Sequence, residues 1–381
     1  MDERVDREDR EDREDRDDTE AVSLDRLLQS WDGEEVIVRR DQPTGATIVI
    51  AVHSTRLGGS AGGGTRMKTY PSLADAVLDA QRLAEGMTFK FAAAGLARGG
   101  GKAVIAIPDN LDAEARDDLL RRYGALVRQL GGLFSTGPDV GTSSRDMDII
   151  AETGGPYVFG RTPEHGGVGD SGPATALGVL AGIQATCAHL FGSDALSGRR
   201  VVVQGVGKVG LPLLRLLRAE GANLACSDVD AAGVERAQAE LGCDVIAPDA
   251  VYDAACDIFS PCALGAILNE ETIPRLRCRA VVGSANNQLA TGADAERLRG
   301  RDILYAPDFV VNSGGAIYLL GRELLGWTED EATERITLTV RTTLAQVYTL
   351  AQAESITTNV AAERLAQQRI VEGAPATAAG G

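Results

Sequence analysis

Arg200-Val-Val-Val-Gln204-Gly205-Val206-Gly207-Lys208-Val209-Gly210 is the stretch that decides the fold. Its first five residues read as a buried strand, because β-branched side chains fit a pleated, covered surface. A GxGxxG turn follows at once. Leu211 to Glu220 continues as a helix, and Asn223-Leu-Ala-Cys-Ser-Asp228 reads as the next strand, ending in an acid 18 residues beyond the last glycine. A lone GxGxxG is weak evidence, but strand, turn, helix, strand and acid in this order form the dinucleotide-binding fingerprint. Gly205 permits the tight turn, Gly207 lets the backbone approach a pyrophosphate, and Gly210 allows close helix–strand packing. The helix start then offers free N–H groups and a positive dipole end to phosphates. Asp228 can accept hydrogen bonds from the adenine ribose hydroxyls and would repel a 2′-phosphate, which favours NAD over NADP. Lys208 can add charge near the pyrophosphate or stand as a solvated lysine at a helix start. The alternative for the whole unit is an α/β module that binds nothing.

Working outward, Val36–Arg40 and Thr47–His53 read as strands, as does Lys102–Ile107. Ser72-Leu-Ala-Asp75 has the form of a capping box opening a helix that Gly86 is expected to end. Ala113 to Leu130 is a further helix. Seven glycines and three prolines between Gly154 and Pro173 suit an interdomain hinge. A helix from Ala174 to Leu190 then leads into the glycine fingerprint, and the stretch from Asp330 to about Glu372 is helical and able to pack back on the first half. The expected architecture is α/β, with two domains flanking a cleft. Residues 1–20 form a charged tail, expected to be disordered or a solvated helix. Residues 21–165, joined by helices at about 341–372, form a substrate-binding, catalytic and oligomerisation domain. Residues 166–340 form a Rossmann-type NAD-binding domain.

Composition narrows the function. The formal net charge is −17, which argues against nucleic acid and against anionic lipid as partners. No apolar run reaches the ~18 residues of a membrane span, and the charged N-terminus does not read as a secretory signal. Six cysteines without CxxC spacing read as reduced core thiols of a cytoplasmic protein, and three scattered histidines give no metal site. Only four of the 38 basic residues are lysine. Two of these, Lys90 and Lys102, lie in one apolar, glycine-rich segment. Arg stays protonated at working pH, whereas Lys loses its proton when buried or crowded by cations. These two are therefore candidates for a general base and a carboxylate anchor. Gly137-Pro-Asp139 adds a carboxylate at a tight turn; alone, it reads better as a structural turn Asp capping the next helix.

Taken together, these segments resemble the glutamate/leucine/phenylalanine/valine dehydrogenase family over about residues 22–370. The matching stretches are Gly63-Gly-Thr-Arg-Met67, Gly86-Met-Thr-Phe-Lys90, Ala94-Gly-Leu-Ala-Arg-Gly-Gly-Gly-Lys102, Asp139-Val-Gly-Thr-Ser-Ser-Arg-Asp-Met-Asp148, Gln204-Gly-Val-Gly207, Asp257-Ile-Phe-Ser-Pro-Cys-Ala-Leu-Gly-Ala266, Gly283-Ser-Ala-Asn-Asn-Gln288 and Ala306-Pro-Asp-Phe-Val-Val-Asn312-Ser-Gly-Gly315. The likeness is greatest to the leucine, valine and phenylalanine branch. It implies oxidative deamination of an L-amino acid with reduction of NAD, by a homo-oligomer. By that resemblance, Lys90 binds the substrate carboxylate, Lys102 is the base that activates water, and Asp139 shuttles protons at the amino group. Asn286 sits near both substrate and nicotinamide, and Thr175 and Asn312 help to place the nicotinamide. Cys262 and Ala263 line the adenosine side, with Val206, Val209, Val229, Ser284 and Ala285 completing the cofactor set. Lys90, held positive, is expected to lower the pKa of Lys102.

The side-chain pocket is implied by Gly62, Gly63, Gly137, Ala316 and Leu319. In the glutamate branch a lysine stands where this chain has Gly62, and a hydroxyl where it has Leu319. A buried substrate carboxylate would lack a partner here, which argues against glutamate. The leucine branch carries Leu at the place of Gly62 and Ala at the place of Gly137, so both positions lose volume. The expected pocket is apolar and larger than a strict leucine pocket, unless a neighbouring side chain refills the space.

Overall fold

The computed structural model describes residues 23–373; the charged tail of residues 1–20 lies outside them. Helix α1 (Leu24–Ser30) precedes strands β1 (Glu35–Arg40), β2 (Thr47–Val52) and β3 (Ala61–Lys68). Helix α2 (Leu73–Ala93), strand β4 (Gly99–Ala106), helix α3 (Ala113–Gln129), strand β5 (Phe134–Pro138) and helix α4 (Ser144–Gly154) complete the first half. Its sheet has the order β1-β2-β4-β3-β5. The β1–β2 and β2–β4 pairs are antiparallel, while β3 runs parallel to β4 and β5. Five of the six residues of β2, Thr-Ile-Val-Ile-Ala-Val, are buried, because helices cover both faces of the sheet.

Helix α2 departs from the sequence expectation. Ser72 caps it, its hydroxyl accepting from the Asp75 N–H at 3.2 Å. The Asp75 carboxylate accepts from that hydroxyl at 2.7 Å rather than from the Ser72 N–H. Gly86 does not end the helix. One glycine costs about 1 kcal/mol against alanine, less than the burial of Val77, Ala80, Ala84 and Phe91 on either side returns. The helix stops only after Ala93, where Leu96 N–H turns back to Phe91 O at 2.9 Å. It also lies very close on the sheet. A Cβ on Gly100 would come within 2.1 Å of Thr88 N, so β4 needs glycine there.

The second half holds helix α5 (Gly172–Phe191), strand β6 (Arg200–Gln204), helix α6 (Gly210–Ala219), strand β7 (Asn223–Ser227), helix α7 (Ala231–Leu241) and strand β8 (Asp244–Val245). Strands β9 (Ile258–Pro261) and β10 (Ala280–Val281), helix α8 (Ala293–Arg299) and strand β11 (Leu304–Tyr305) follow. The sheet order is β11-β10-β9-β6-β7-β8, with every pair parallel. This is the doubly wound order in which ligands bind beyond the strand carboxyl ends, where the order reverses beside β6. Helix α5 is long and apolar enough to cross a membrane, contrary to the sequence expectation. In this fold it is a core helix, with Val179, Leu180 and Ile183 buried between α6 and the C-terminal helices. Each such side chain contributes about 1.5–3 kcal/mol by burial.

Helices α9 (Asp308–Val311), α10 (Gly314–Glu323), α11 (Glu329–Glu354) and α12 (Thr358–Glu372) end the chain. The helical tail is broken at Ser355, which takes φ +55°. Helix α11 packs chiefly on α5 and α10, and α12 returns to α2. Arg369 and Thr343 donate to the last carbonyls of α2, at 2.6 and 3.0 Å from Ala93 O. The Gly/Pro-rich connection forms only two short turns. It is pinned by buried Glu323, whose oxygens accept from Gly160 and Val168 N–H, each at 3.0 Å.

Candidate active site

A cleft of about 770 Å³ opens between the two sheets. One wall is α2, which presents Asp79, Leu83, Met87 and Lys90. These recur every three or four residues and so share one helix face. The floor is formed by Gly63, Gly64 and Arg66 of β3, Lys102 of β4, and Pro138 and Asp139 at the end of β5. The opposite wall comes from Ser284, Asn286, Asp308, Asn312, Ala316 and Leu319.

The floor is a charge cluster. Lys102 Nζ and Arg66 Nε both lie 3.0 Å from Asp139 Oδ2. Arg66 reaches on to Asp79 at 3.1 Å, and Tyr70 donates to the same Asp79 oxygen at 2.5 Å. Burial is the largest influence on Lys102 and draws its pKa below the ordinary lysine value; Asp139 opposes this and Arg66 adds to it. Burial pushes Asp139 up, but Lys102 and Arg66 outweigh it and hold the carboxyl below its usual range. Burial also draws Lys90 down to about 8, with Asp308 opposing and Lys102 assisting. Burial, assisted by Arg66, is the larger cause of the Lys102 depression. The expected repulsion between the two lysines is mutual and is seen in the lowering of Lys90.

Across the cleft, Asn286 Oδ1 accepts from Lys90 Nζ at 3.5 Å and from Asn312 Nδ2 at 2.9 Å. Asn312 Nδ2 also donates to Ser284 O at 3.2 Å, and its buried Oδ1 has no partner. A buried amide oxygen without a donor is costly, and a ligand N–H would satisfy it. Thr175 lies opposite Gly315, where a Cβ would come within 2.5 Å of Thr175 Oγ1. Asp308 closes this side, accepting from Gln288 N–H at 3.0 Å and Phe309 N–H at 2.7 Å.

The glycine turn leads away from this cleft. Gly205 takes φ +98°, which only glycine adopts readily, and a Cβ there would meet Ala263 at 2.9 Å. Cys262 and Ala263 therefore sit against the turn. Beside Gly207 there is open space, while a Cβ on Gly210 would lie 1.8 Å from Gly205 O. Asp228 Oδ2 accepts from Val206 N–H at 2.7 Å, so the acid braces the turn while standing at the end of β7. Lys208 and Val229 are exposed, whereas Ala285 is buried, its N–H on Pro261 O at 3.0 Å. An open approach at Gly207, helix N–H groups behind it and an unpartnered amide oxygen at Asn312 fit a dinucleotide.

Residues 35–154 match the model of the Glu/Leu/Phe/Val dehydrogenase dimerisation domain, and residues 166–237 and 232–377 match Glutamate/Leucine/Phenylalanine/Valine dehydrogenase. The chain belongs to this family. It is 42% identical to a leucine dehydrogenase of Thermoactinomyces intermedius, over 90% of this chain and 92% of that one. It is 44% identical to a valine dehydrogenase of Streptomyces coelicolor, over 90% and 93%. The crystal structure of L-tryptophan dehydrogenase from Nostoc punctiforme superposes with a TM-score of 0.80 at 37% identity, covering 92% of this chain and 99% of that one. The protein is therefore an amino acid dehydrogenase of the type that uses a nicotinamide cofactor.

Among the residues expected from sequence, this dehydrogenase brings Gly63, Lys90, Lys102, Asp139, Thr175, Val209, Ser284, Asn286, Asn312, Ala316 and Leu319 to the one cleft. Gly62 and Gly137 do not line it, and the volume they free is already filled. A Cβ on Gly62 would lie 2.9 Å from Arg98 Cδ, and one on Gly137 only 2.2 Å from the Phe159 ring. The expectation of an enlarged pocket is corrected accordingly: Phe159 lines the cleft where a larger residue 137 would have stood. Sequence reasoning also passed over Arg66, Asp79 and Asp308. Arg66 was visible, since it lies two residues beyond Gly64 and alternation along a strand puts both on one face. Asp79 was hidden by ending α2 at Gly86, because its alignment with Lys90 requires an unbroken helix.

Proposed function

We propose that the enzyme catalyses NAD-dependent oxidative deamination of an apolar L-amino acid to the 2-oxo acid, releasing ammonia, and the reverse reductive amination. The observation that carries this is the Lys102–Asp139 pair, 3.0 Å apart, the lysine buried and the carboxylate half-buried, in the same cleft as Lys90 and beside an apolar wall. Lys90 anchors the substrate carboxylate, and Asn286, held by Lys90 and Asn312, orients the reacting end. Asp139, kept ionised, takes a proton from the substrate ammonium. NAD, when bound, supplies the hydride acceptor for the Cα hydrogen. Lys102, its pKa lowered, accepts a proton from the water that adds to the imine carbon. Asp139 then returns its proton to the departing ammonia as the C–N bond breaks, and the added hydroxyl loses its remaining proton to solvent as the carbonyl forms. Apolar walls from Phe91, Phe159 and Leu319 exclude bulk water. Asp228 favours NAD over NADP, because its carboxylate would repel a 2′-phosphate. A homo-oligomer built on the first domain and a cytoplasmic location complete the proposal; the latter is supported by six free thiols.

A glutamate-type activity is the second reading, because Arg98 brings a guanidinium against Gly62. Arg98 does not line the cleft, however, whereas Phe91, Phe159, Ala316, Leu319 and Leu320 do. The apolar reading is therefore preferred. The test is NADH formation at alkaline pH with Leu, Val, Phe, Trp and Glu, each with NAD and NADP. Turnover of apolar substrates with NAD is expected, and turnover of glutamate alone would reverse the assignment. Lys102→Ala is expected to lose at least about 100-fold in kcat while retaining NAD binding. No turnover by any substrate, with NAD still bound, would mean a regulatory relative rather than an enzyme.

A further inference from the structure

Arg66 has no part in the steps above, yet it is built into the centre of the cluster. Its Nε lies on the same Asp139 oxygen as Lys102 Nζ, each at 3.0 Å. Its Nη1 holds both oxygens of Asp79, at 3.2 and 3.1 Å, and Tyr70 fixes Asp79 from behind at 2.5 Å. A guanidinium anchored at both ends keeps one direction, and it cannot give up its proton at working pH.

Accepting the dehydrogenase reading, we propose that Arg66 is a positioning residue that decides which member of the Lys102–Asp139 pair carries the titrating proton. Two groups this close titrate as a pair. A fixed cation on the shared oxygen favours the ionised carboxylate and disfavours the ammonium. The proton is then released from Lys102 while Asp139 stays a carboxylate, which is the division of labour that deamination requires. The other charged groups lining the cleft around the pair are Asp79, Arg82, Glu85 and Lys90 from α2, Asp308 from α9 and Glu363 from α12, with Tyr70, from the segment before α2, held on Asp79. Asp79 acts on Lys102 in the opposite sense to Arg66, because its negative charge favours the ammonium.

The size of the effect follows from the geometry. A unit charge about 6 Å away, the farthest the two 3.0 Å contacts allow, moves a pKa by about two units at an effective dielectric of about 20. Removing the positive charge makes Lys102 easier to protonate, so its deprotonation moves to higher pH. Removing the negative charge of Asp79 moves it to lower pH.

The experiment compares the full-length wild type with Arg66→Met, Arg66→Lys and Asp79→Asn. The rising limb of kcat/KM against pH is read from NADH formation with L-leucine. In parallel, the pH dependence of reductive methylation at Lys102 is read by peptide mass spectrometry, which needs no turnover. Arg66→Met is expected to displace both profiles upward by about one to two pH units, Arg66→Lys to restore the wild-type position, and Asp79→Asn to displace them downward. General damage to the site cannot produce shifts of opposite sign. Profiles that coincide with wild type in Arg66→Met, or that move the same way in both charge-removing variants, overturn the inference. If Arg66→Met does not fold, the downward shift in Asp79→Asn and its absence in Arg66→Lys decide. An inactive wild type with the methylation shifts intact would sink the assigned reaction and leave the role of Arg66 standing.

Discussion

Phe159 lines the cleft, and if it forms the far wall of the proposed substrate pocket, shortening it should change which amino acid the enzyme prefers. Its side chain is 6% exposed and packs with Phe91, Ala174 and Leu319. The ring stands 2.2 Å from where a Cβ on Gly137 would be, so it occupies the space that glycine leaves. Phe159→Val removes four carbons from this wall. A core loss of that size costs about 2–3 kcal/mol of stability, visible as a lower Tm but compatible with folding. Pocket volume of one methylene is worth about 1–3 kcal/mol of discrimination, or roughly 10- to 200-fold. The kcat/KM ratio of phenylalanine to valine should therefore rise at least about tenfold. Gly137→Ala tests the same space from the other side. Its methyl cannot coexist with the ring as placed, so the ring is driven into the cleft and the ratio should fall. Combining both changes should restore stability relative to Phe159→Val, because the methyl refills part of the cavity. The assay is initial-rate NADH formation with Leu, Val and Phe at fixed pH and saturating NAD, alongside a thermal melt. A folded Phe159→Val enzyme whose ratio stays within about twofold of wild type would refute the assignment of Phe159 as the wall.

Asp228→Ser should weaken NAD binding and narrow the preference for NAD over NADP; isothermal titration with both nucleotides would show it. The loss should exceed that of one ribose contact, because Asp228 also holds Val206 N–H at 2.7 Å. Asp146 should contribute to acid denaturation. Burial raises its pKa, but Arg116 and Ser143 outweigh this and the net shift is downward. A carboxyl depressed in the folded state contributes stability above its unfolded value near 3.9 and loses it as pH falls through the lower folded value. Urea midpoints below about pH 4 should thus fall less steeply in Asp146→Asn than in wild type; parallel slopes would contradict the pairing. Ser355→Gly should stabilise the enzyme by up to about 1 kcal/mol, because Ser355 is held in a left-handed conformation at the end of α11. A lowered Tm would show that the Ser355 side chain has a role beyond the backbone.

The Rossmann half was legible because its signals are local. Strand, turn, helix and acid lie within some thirty residues, and each obeys a rule of backbone geometry. Lys90 and Lys102 were legible for a different reason: in a chain with so few lysines, two in one apolar segment stand out. Asp139 stood out only through the family resemblance, since a lone Asp at a tight turn reads as a helix cap. Pocket size was not legible. Gly62 and Gly137 were read as lost volume, but volume is set by what moves in, and Arg98 and Phe159 come from segments that give no hint of where they pack. The end of α2 was misjudged because Gly86 is unfavourable only by propensity, and tertiary burial on both sides overrides a penalty of that size.

That long helix explains why the two halves are one machine. Asp79, Met87 and Lys90 can line a single cleft only if α2 runs unbroken past Gly86, and a helix that long leaves a row of carbonyls at its far end. Those carbonyls are met by residues from the end of the chain. Arg369 donates to Ala92 O and Ala93 O, and Thr343 also donates to Ala93 O. A cation at a helix C-terminus is favoured by the dipole as well as by the hydrogen bonds. Lys90 stands one turn before this cap and reaches Asn286 on the opposite wall at 3.5 Å. Lys90, the proposed substrate anchor, is thus held from behind by the C-terminal helices and from in front by Asn286 of the second half. A shift of either half moves the Lys90 ammonium relative to Lys102 and Asp139, so the relation between the halves is itself a term in the chemistry.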